Sequence, residues 1–252
     1  MDAAMPDAAM AQDGGTHTPT DSGAVDGGAS DGSVRDGAAP INLCPERSDA
    51  LFCDGFEDPA LSRWSYPVIT NGSVVRTTTP VHSGAGSLHA TTGAVGTTNN
   101  AARYGAKVFA NQKSGDIWLR YYYFVASSVV VNSYFSSGVV AEIEPPYFGF
   151  SLIILPDRVD IGAFDTRYPG TLVFPRDHWT CVELHVKIDH SAGIFEAYLD
   201  GALAAQSPAT NTLPAKGYTS ADVGIHYTDL AQGPVEVYVD DVVAANTRVG
   251  CN

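Results

Sequence analysis

From Leu51 onward, apolar and polar residues alternate with a period of two rather than 3.6. The stretches "SVVRTTTP" (73–80), "SLHATTG" (87–93), "DIWLRYYYFVAS" (116–127), "GVVAEIEP" (138–145) and "FGFSLIILP" (148–156) all read as strands. So do "DRVDIGAF" (157–164), "HWTCVELHVKID" (178–189), "GIFEAYLDG" (193–201), "SADVGIHYTD" (220–229) and "VEVYVDDVVAA" (235–245). The dipeptides and tripeptides between them, "NG", "SG", "YPG", "SAG" and "LDG", supply turns. No segment sustains an amphipathic helical pattern, so no helices are available to cover parallel crossovers. The expected fold is all-β: antiparallel sheets packed as a sandwich or jelly roll.

Alternation also assigns faces. In 181–188, Val182, Leu184, Val186 and Ile188 oppose Cys181, Glu183, His185 and Lys187. In 117–124, Ile117, Leu119, Tyr121 and Tyr123 oppose Trp118, Arg120, Tyr122 and Phe124. In 223–228, Val223, Ile225 and Tyr227 oppose Gly224, His226 and Thr228. One sheet is therefore expected to turn Arg120, Tyr122, His185, Tyr198 and His226 outward. Such a face is either an ordinary wetted sheet surface or a concave ligand face, where Tyr and Trp cover sugar rings and Arg and His add hydrogen bonds.

Composition separates the first part of the chain from the rest. Residues 1–40 contain no Leu, Ile, Phe, Trp or Tyr and carry seven Asp against one Arg. Such a segment cannot bury enough apolar surface to offset the entropy of ordering it. Residues 1–43 are expected to be a disordered Asp/Gly/Ala-rich tether, and 44–252 one folded domain. Of the formal charge of −14, −8 falls on that domain. An acidic surface without a Lys/Arg cluster argues against nucleic acid and anionic membranes as partners. No apolar run reaches membrane-spanning length. The four cysteines form no CxxC or zinc-type cluster, which suggests two disulfides and an oxidising compartment. The chain also lacks the basic and apolar regions of a signal peptide; a secreted, periplasmic or cell-surface protein is still expected, its signal removed or lost to a misplaced start.

Several segments together resemble the concanavalin A-like jelly rolls: "FCDGFED" (52–58) with Trp64 soon after, "HSGAGSLHA" (82–90), "HWTCVELHVKIDHSAGIFEAYLDG" (178–201) and "VDDVVAANTRVGC" (239–251). The laminin-G-like and polysaccharide-lyase-like domains of secreted bacterial proteins are the nearest in pattern, and the tether is similar to those of surface lipoproteins. The resemblance implies two curved antiparallel sheets whose first and last strands lie side by side. That adjacency would bring Asp54 and Glu57 near Asp240 and Asp241. Clustered carboxylates suit a hard cation, since Ca²⁺ takes six to eight oxygens. A structural Ca²⁺ on Glu57 and Asp241, assisted by Asp54 or Asp240, is the expectation. Of the three possible cysteine connectivities, Cys44–Cys53 with Cys181–Cys251 is favoured, and Cys53–Cys251 is the rival.

Fold does not decide activity. The glucanase branch of this fold carries "ExDxE"-like carboxylates for hydrolysis. Here "AEIEP" offers Glu142 and Glu144 without the central Asp, a pair read as solvent-facing acids. Alginate-lyase motifs resemble "RYYYF", "EIE" and "TSADVGIHY" (219–227) only with essential positions changed. A divergent lyase would use His226 or His185 as base, Arg120 as neutraliser and Tyr198 or Tyr122 as acid. GxSxG, HExxH, GxGxxG and P-loop patterns are absent. The first expectation is a monomeric, carbohydrate-binding module of an exported or surface-tethered bacterial protein, with a polysaccharide or other glycan as partner. A lyase acting on uronate glycans by β-elimination and an adhesion module binding protein are the alternatives.

Overall fold

The computed structural model describes residues 49–94, 98–142 and 149–251. The chain divides into two units, 1–39 and 40–252, and all described residues belong to the second. The tether expected over 1–43 lies outside them, as do Cys44 and Glu144.

Two antiparallel sheets account for the described domain. The first holds, in spatial order, β13 (Ala202–Gln206), β12 (Ile194–Leu199), β11 (Trp179–Ile188), β6 (Gly115–Val125), β15 (Glu236–Ala245), β4 (Ser87–Thr92) and β3 (Gly72–Thr77). Strand β1 (Ala50–Asp54) also pairs with β15. The second sheet runs β10 (Thr166–Pro169), β9 (Val159–Ala163), β8 (Gly149–Ile154), β7 (Phe135–Ala141), β14 (Tyr218–Thr228), β5 (Ala101–Gln112) and β2 (Tyr66–Thr70). No described residue is helical. The two-sheet jelly-roll sandwich is therefore as the alternation predicts.

Its core is made by the predicted inward faces. Ile117, Leu119, Tyr121 and Tyr123 of β6 and Val182, Leu184, Val186 and Ile188 of β11 are buried against Phe150, Leu152, Val223 and Ile225 of the second sheet. The two core phenols still find partners, as buried hydroxyls must: Tyr121 meets the Ser137 hydroxyl at 2.8 Å, and Tyr123 donates to the Gly224 carbonyl at 3.2 Å.

The two ends of the domain meet as expected. Strand β1 pairs with β15 through Phe52–Ala244, Cys53–Val243 and Asp54–Val242. Just after it, Phe56 turns into the core at φ 58° and stacks on Trp64 with centroids 5.6 Å apart. Asp54 holds this corner, accepting the Phe56 N–H at 2.9 Å and the Trp64 indole N–H at 2.7 Å. The aromatics and first acid of "FCDGFED" thus form a plug under the first strand.

Cys181 and Cys251 are bonded, which excludes the Cys53–Cys251 rival. Cys53 is disulfide-bonded as well.

Candidate functional site

The five residues expected to share one face do not. Arg120 and Tyr122 on β6, His185 on β11 and Tyr198 on β12 belong to the first sheet, whereas His226 lies on β14 in the second. The hydrophobic core stands between them. Alternation fixes which side of a strand a residue occupies; it says nothing of which sheet that strand joins.

On the first sheet the polar residues bond chiefly to one another. The His185 ring stacks on Trp118 with centroids 4.0 Å apart. Its Nδ1 meets Glu196 at 2.7 Å and its Nε2 meets Asp116 at 2.8 Å, so both ring nitrogens are engaged by carboxylates of the protein itself. The Tyr198 hydroxyl donates to the same Glu196 oxygen at 3.0 Å. Arg248, from the C-terminal tail, lies 4.2 Å over the Tyr198 ring and bonds to the buried Glu183. Arg120 sits 5.2 Å over Tyr122, which stacks on His82.

The second sheet is different: its outward face holds an open cleft of about 660 Å³. One row of directly paired residues crosses the sheet in the order Arg167, Gly162, Ser151, Val139, Asp222, Gly105, Tyr66. The middle of the row is small and forms the floor. At Gly105 the absence of a side chain is required, because a Cβ there would stand 2.3 Å from the Tyr66 ring that lies over it.

Strand β5 supplies Arg103 to this floor. Its Nε donates to Asp222 at 2.8 Å and its Nη1 to the His226 carbonyl at 2.7 Å. Tyr66 donates to the other Asp222 oxygen at 3.0 Å. Burial pushes the Asp222 carboxyl above its ordinary range, against the pull of Arg103 and Tyr66. Burial likewise raises the Tyr66 and Tyr227 phenols, so both remain protonated and able to donate.

His226 is half-buried, and its Nδ1 is buried without a hydrogen-bond partner among the described residues. Burial, helped by the Arg103 charge, takes its pKa down to about 3. Its neighbour Tyr227 also lines the cleft rather than sharing the core face of Val223 and Ile225. The pairing of β14 with β7 shifts between Asp222 and Ile225 and again before Tyr227. Such a bulge breaks strict alternation and re-aims the side chains after it. Glu142 is buried rather than solvent-facing. It lines the cleft, and its Oε2 accepts the Lys216 N–H at 3.3 Å.

A pH effect follows from the His226 environment. Its folded pKa, about 3, lies below the unfolded value near 6.5, so the unfolded chain takes up the proton first on acidification. The stability it contributes is complete above 6.5 and is lost as pH falls from 6.5 towards 3, at about 1.4 kcal/mol per unit. Urea unfolding of the wild type between pH 7.5 and 4 should show this slope, and His226→Gln should be flatter. Parallel slopes would refute the assignment.

The expected metal ligands gather round the loop 82–86. Asp240 accepts the N–H groups of His82 (2.8 Å), Ser83 (3.2 Å) and Asp241 (2.8 Å). Asp241 accepts the Ser83 hydroxyl and meets His82 Nδ1 at 2.7 Å. Glu57 accepts the N–H groups of Ala85 and Gly86. Burial and the adjacent Asp241 push the Asp240 carboxyl up to about 7. Among the described residues, no group of three or more His, Cys, Asp or Glu is set to hold a metal ion as folded.

Arg103 and Tyr66 are the cleft residues that alternation could have supplied and did not. The signal is present in "ARYGAKV" (102–108), where Arg103, Gly105 and Lys107 oppose Ala102, Tyr104 and Ala106. Its many small residues give weak contrast, and the strand reading passes over it.

No protein-family model and no curated protein matches the sequence. Solved structures do match. An endo-β-1,4-glucuronan lyase from the fungus Trichoderma reesei aligns with TM-score 0.66 and 15% identity, over 79% of this chain and 96% of the lyase. A cellulose-induced protein, Cip1, aligns with TM-score 0.59 and 20% identity, over 80% and 100%. An alginate lyase from Chlorella virus aligns with TM-score 0.53 and 10% identity, over 73% and 93%. At these identities the likeness concerns the fold: the domain shares the jelly-roll sandwich of these proteins.

Proposed function

We propose that the cleft of the second sheet binds a polysaccharide chain, in a protein that works outside the cytoplasm. The observation that carries this reading is the shape and lining of the trough. A floor of Gly162, Ser151 and Val139 leaves room for sugar rings, while Tyr66, Phe164 and Tyr227 offer apolar faces and Arg103, Asp222 and Glu142 offer hydrogen bonds. The disulfide between Cys181 and Cys251 supports an oxidising location. Affinity electrophoresis of the full chain through gels of neutral and uronate polysaccharides tests the reading. Retardation should occur with at least one polymer and weaken in Tyr66→Ala. No retardation by any of them sinks it.

One observation favours a second reading, β-elimination in the same cleft. His226 lines the cleft with its Nδ1 unpartnered among the described residues, beside the protonated phenol of Tyr227, with ring centroids 5.5 Å apart. A neutral imidazole can accept the proton next to a uronate carboxylate, and a phenol can return one to the leaving oxygen. Arg120, His185 and Tyr198 have no place in this chemistry, being across the core. With uronate polysaccharides, ultraviolet absorbance should rise as unsaturated product forms, and His226→Ala should slow that rise about 10²–10⁴-fold. A flat trace with wild-type protein leaves binding alone.

Calcium belongs to the same proposal as a structural ion tying the two chain ends together. Glu57, Asp240 and Asp241 surround one short loop, and Asp54 lines the same small hollow as Asp241. Asp240, pushed up to about 7 by burial and then by the adjacent Asp241, is a carboxyl that a cation beside it would help to ionise. Millimolar Ca²⁺ should raise Tm in the wild type and not in Asp241→Asn. An unchanged wild-type Tm removes the ion from the proposal.

A further inference from the structure

We infer that Arg167, on the outermost strand of the cleft sheet, selects glycans that carry a carboxylate. The inference rests on the reading of the cleft as a saccharide site and names the class of saccharide. Pairing with Gly162, itself a cleft residue, places Arg167 on the cleft side of β10 and at the end of the row opposite Tyr66. Its guanidinium lies 4.2 Å over the Tyr134 ring. Tyr134 meets Tyr227 edge-on at 5.9 Å, and Tyr227 in turn adjoins His226. The chain of rings thus runs from Arg167 to the histidine.

Arg103 inside the cleft and Arg167 at the end of its row differ in what balances them. Arg103 has its charge offset by the buried Asp222. Arg167 makes no ion pair among the described residues, although Asp165 stands two positions away and lines the cleft. The guanidinium is drawn to the Tyr134 ring face and hydrogen-bonds the Tyr227 side chain, and its planar fork carries further N–H donors beyond that bond. That fork matches the two oxygens of a carboxylate. Within a domain of charge −8, Arg167 is a local cation placed where an acidic sugar would otherwise be repelled. A uronate held there would present its ring towards Tyr227 and His226.

Calorimetric titration of the full chain tests this with matched probes. Tetrasaccharides of glucuronate and of alginate are compared with the same oligomers after reduction of every carboxyl to an alcohol, and with cellotetraose. Wild-type protein should prefer an acidic oligomer over its reduced form by roughly 10- to 100-fold, as expected for a charge-assisted pair. The preference should shrink with added salt. Arg167→Gln should bring the ratio close to one. Arg167→Lys, which keeps the charge and loses the fork, should fall between. Equal affinity for acidic and reduced forms, or a preference that survives Arg167→Gln, overturns the inference and leaves the cleft reading standing. Failure of every probe to bind overturns both. Arg167 is exposed, so the Tm of each variant should match the wild type and show that folding is not the cause.

Discussion

Arg103→Leu should destabilise the domain by about 3–5 kcal/mol, the usual cost of removing one partner from a buried ion pair. The side chain of Asp222 is 5% exposed and that of Arg103 is 17% exposed, so little water reaches the pair. Without the guanidinium, the Tyr66 hydroxyl is the hydrogen-bond donor left to the Asp222 carboxylate among the described residues. The Asp222 carboxyl is already raised by burial and held down by Arg103. Removing the arginine raises it further.

The direction with pH follows. The unfolded carboxyl ionises near 3.8, whereas the folded one would hold its proton to higher pH. The penalty is therefore absent below about 3.8 and grows as pH rises above it. Urea unfolding should show a small deficit at pH 4 and a large one at pH 8. Arg103→Leu combined with Asp222→Asn should recover much of the loss, because no buried charge remains to be solvated. A deficit that is the same at both pH values would mean that Arg103 acts by packing alone.

Cys181→Ser with Cys251→Ser is the second large effect. The bond closes 70 residues, and in the chain-entropy account its removal costs about 4 kcal/mol. In a domain of this size that corresponds to a Tm lower by roughly 10 °C. The tail it anchors has other ties: Arg248 bonds to Glu183 at 2.8 Å, and the Gly250 N–H donates to the other Glu183 oxygen at 2.8 Å. Glu183 is fully buried, so a fraying tail would strip its partners and add to the loss. Thermal unfolding followed by far-ultraviolet circular dichroism measures the change. A drop of only one or two degrees would show that these polar contacts hold the tail unaided.

Period-two alternation made the fold class legible, because each strand of a sandwich must put one face in the core. The inward residues of β6 and β11 are buried as that pattern requires. The pairing of the chain ends and the Cys181–Cys251 bond were legible only through the family pattern, since neither follows from local spacing. The site was harder. Arg103 lay in a strand too rich in small residues to stand out, and Arg167 in a four-residue strand, "TRYP", ending where a turn is expected. Tyr227 departs from the face that alternation predicts because a bulge interrupts β14.

The sequence by itself determined that the chain folds as β, which side of most strands meets the core, and that the folded domain is acidic. These are properties of nearest neighbours along a strand, where steric alternation acts residue by residue. Only the tertiary structure decided which sheet each strand joins, and with it which polar residues can meet. His185 and His226 look equivalent in the sequence. One ends between two carboxylates on the first sheet, the other in the cleft beside Arg103 and Tyr227. Sheet membership is set by long-range pairing and by how the core closes, and no local pattern of side chains encodes it.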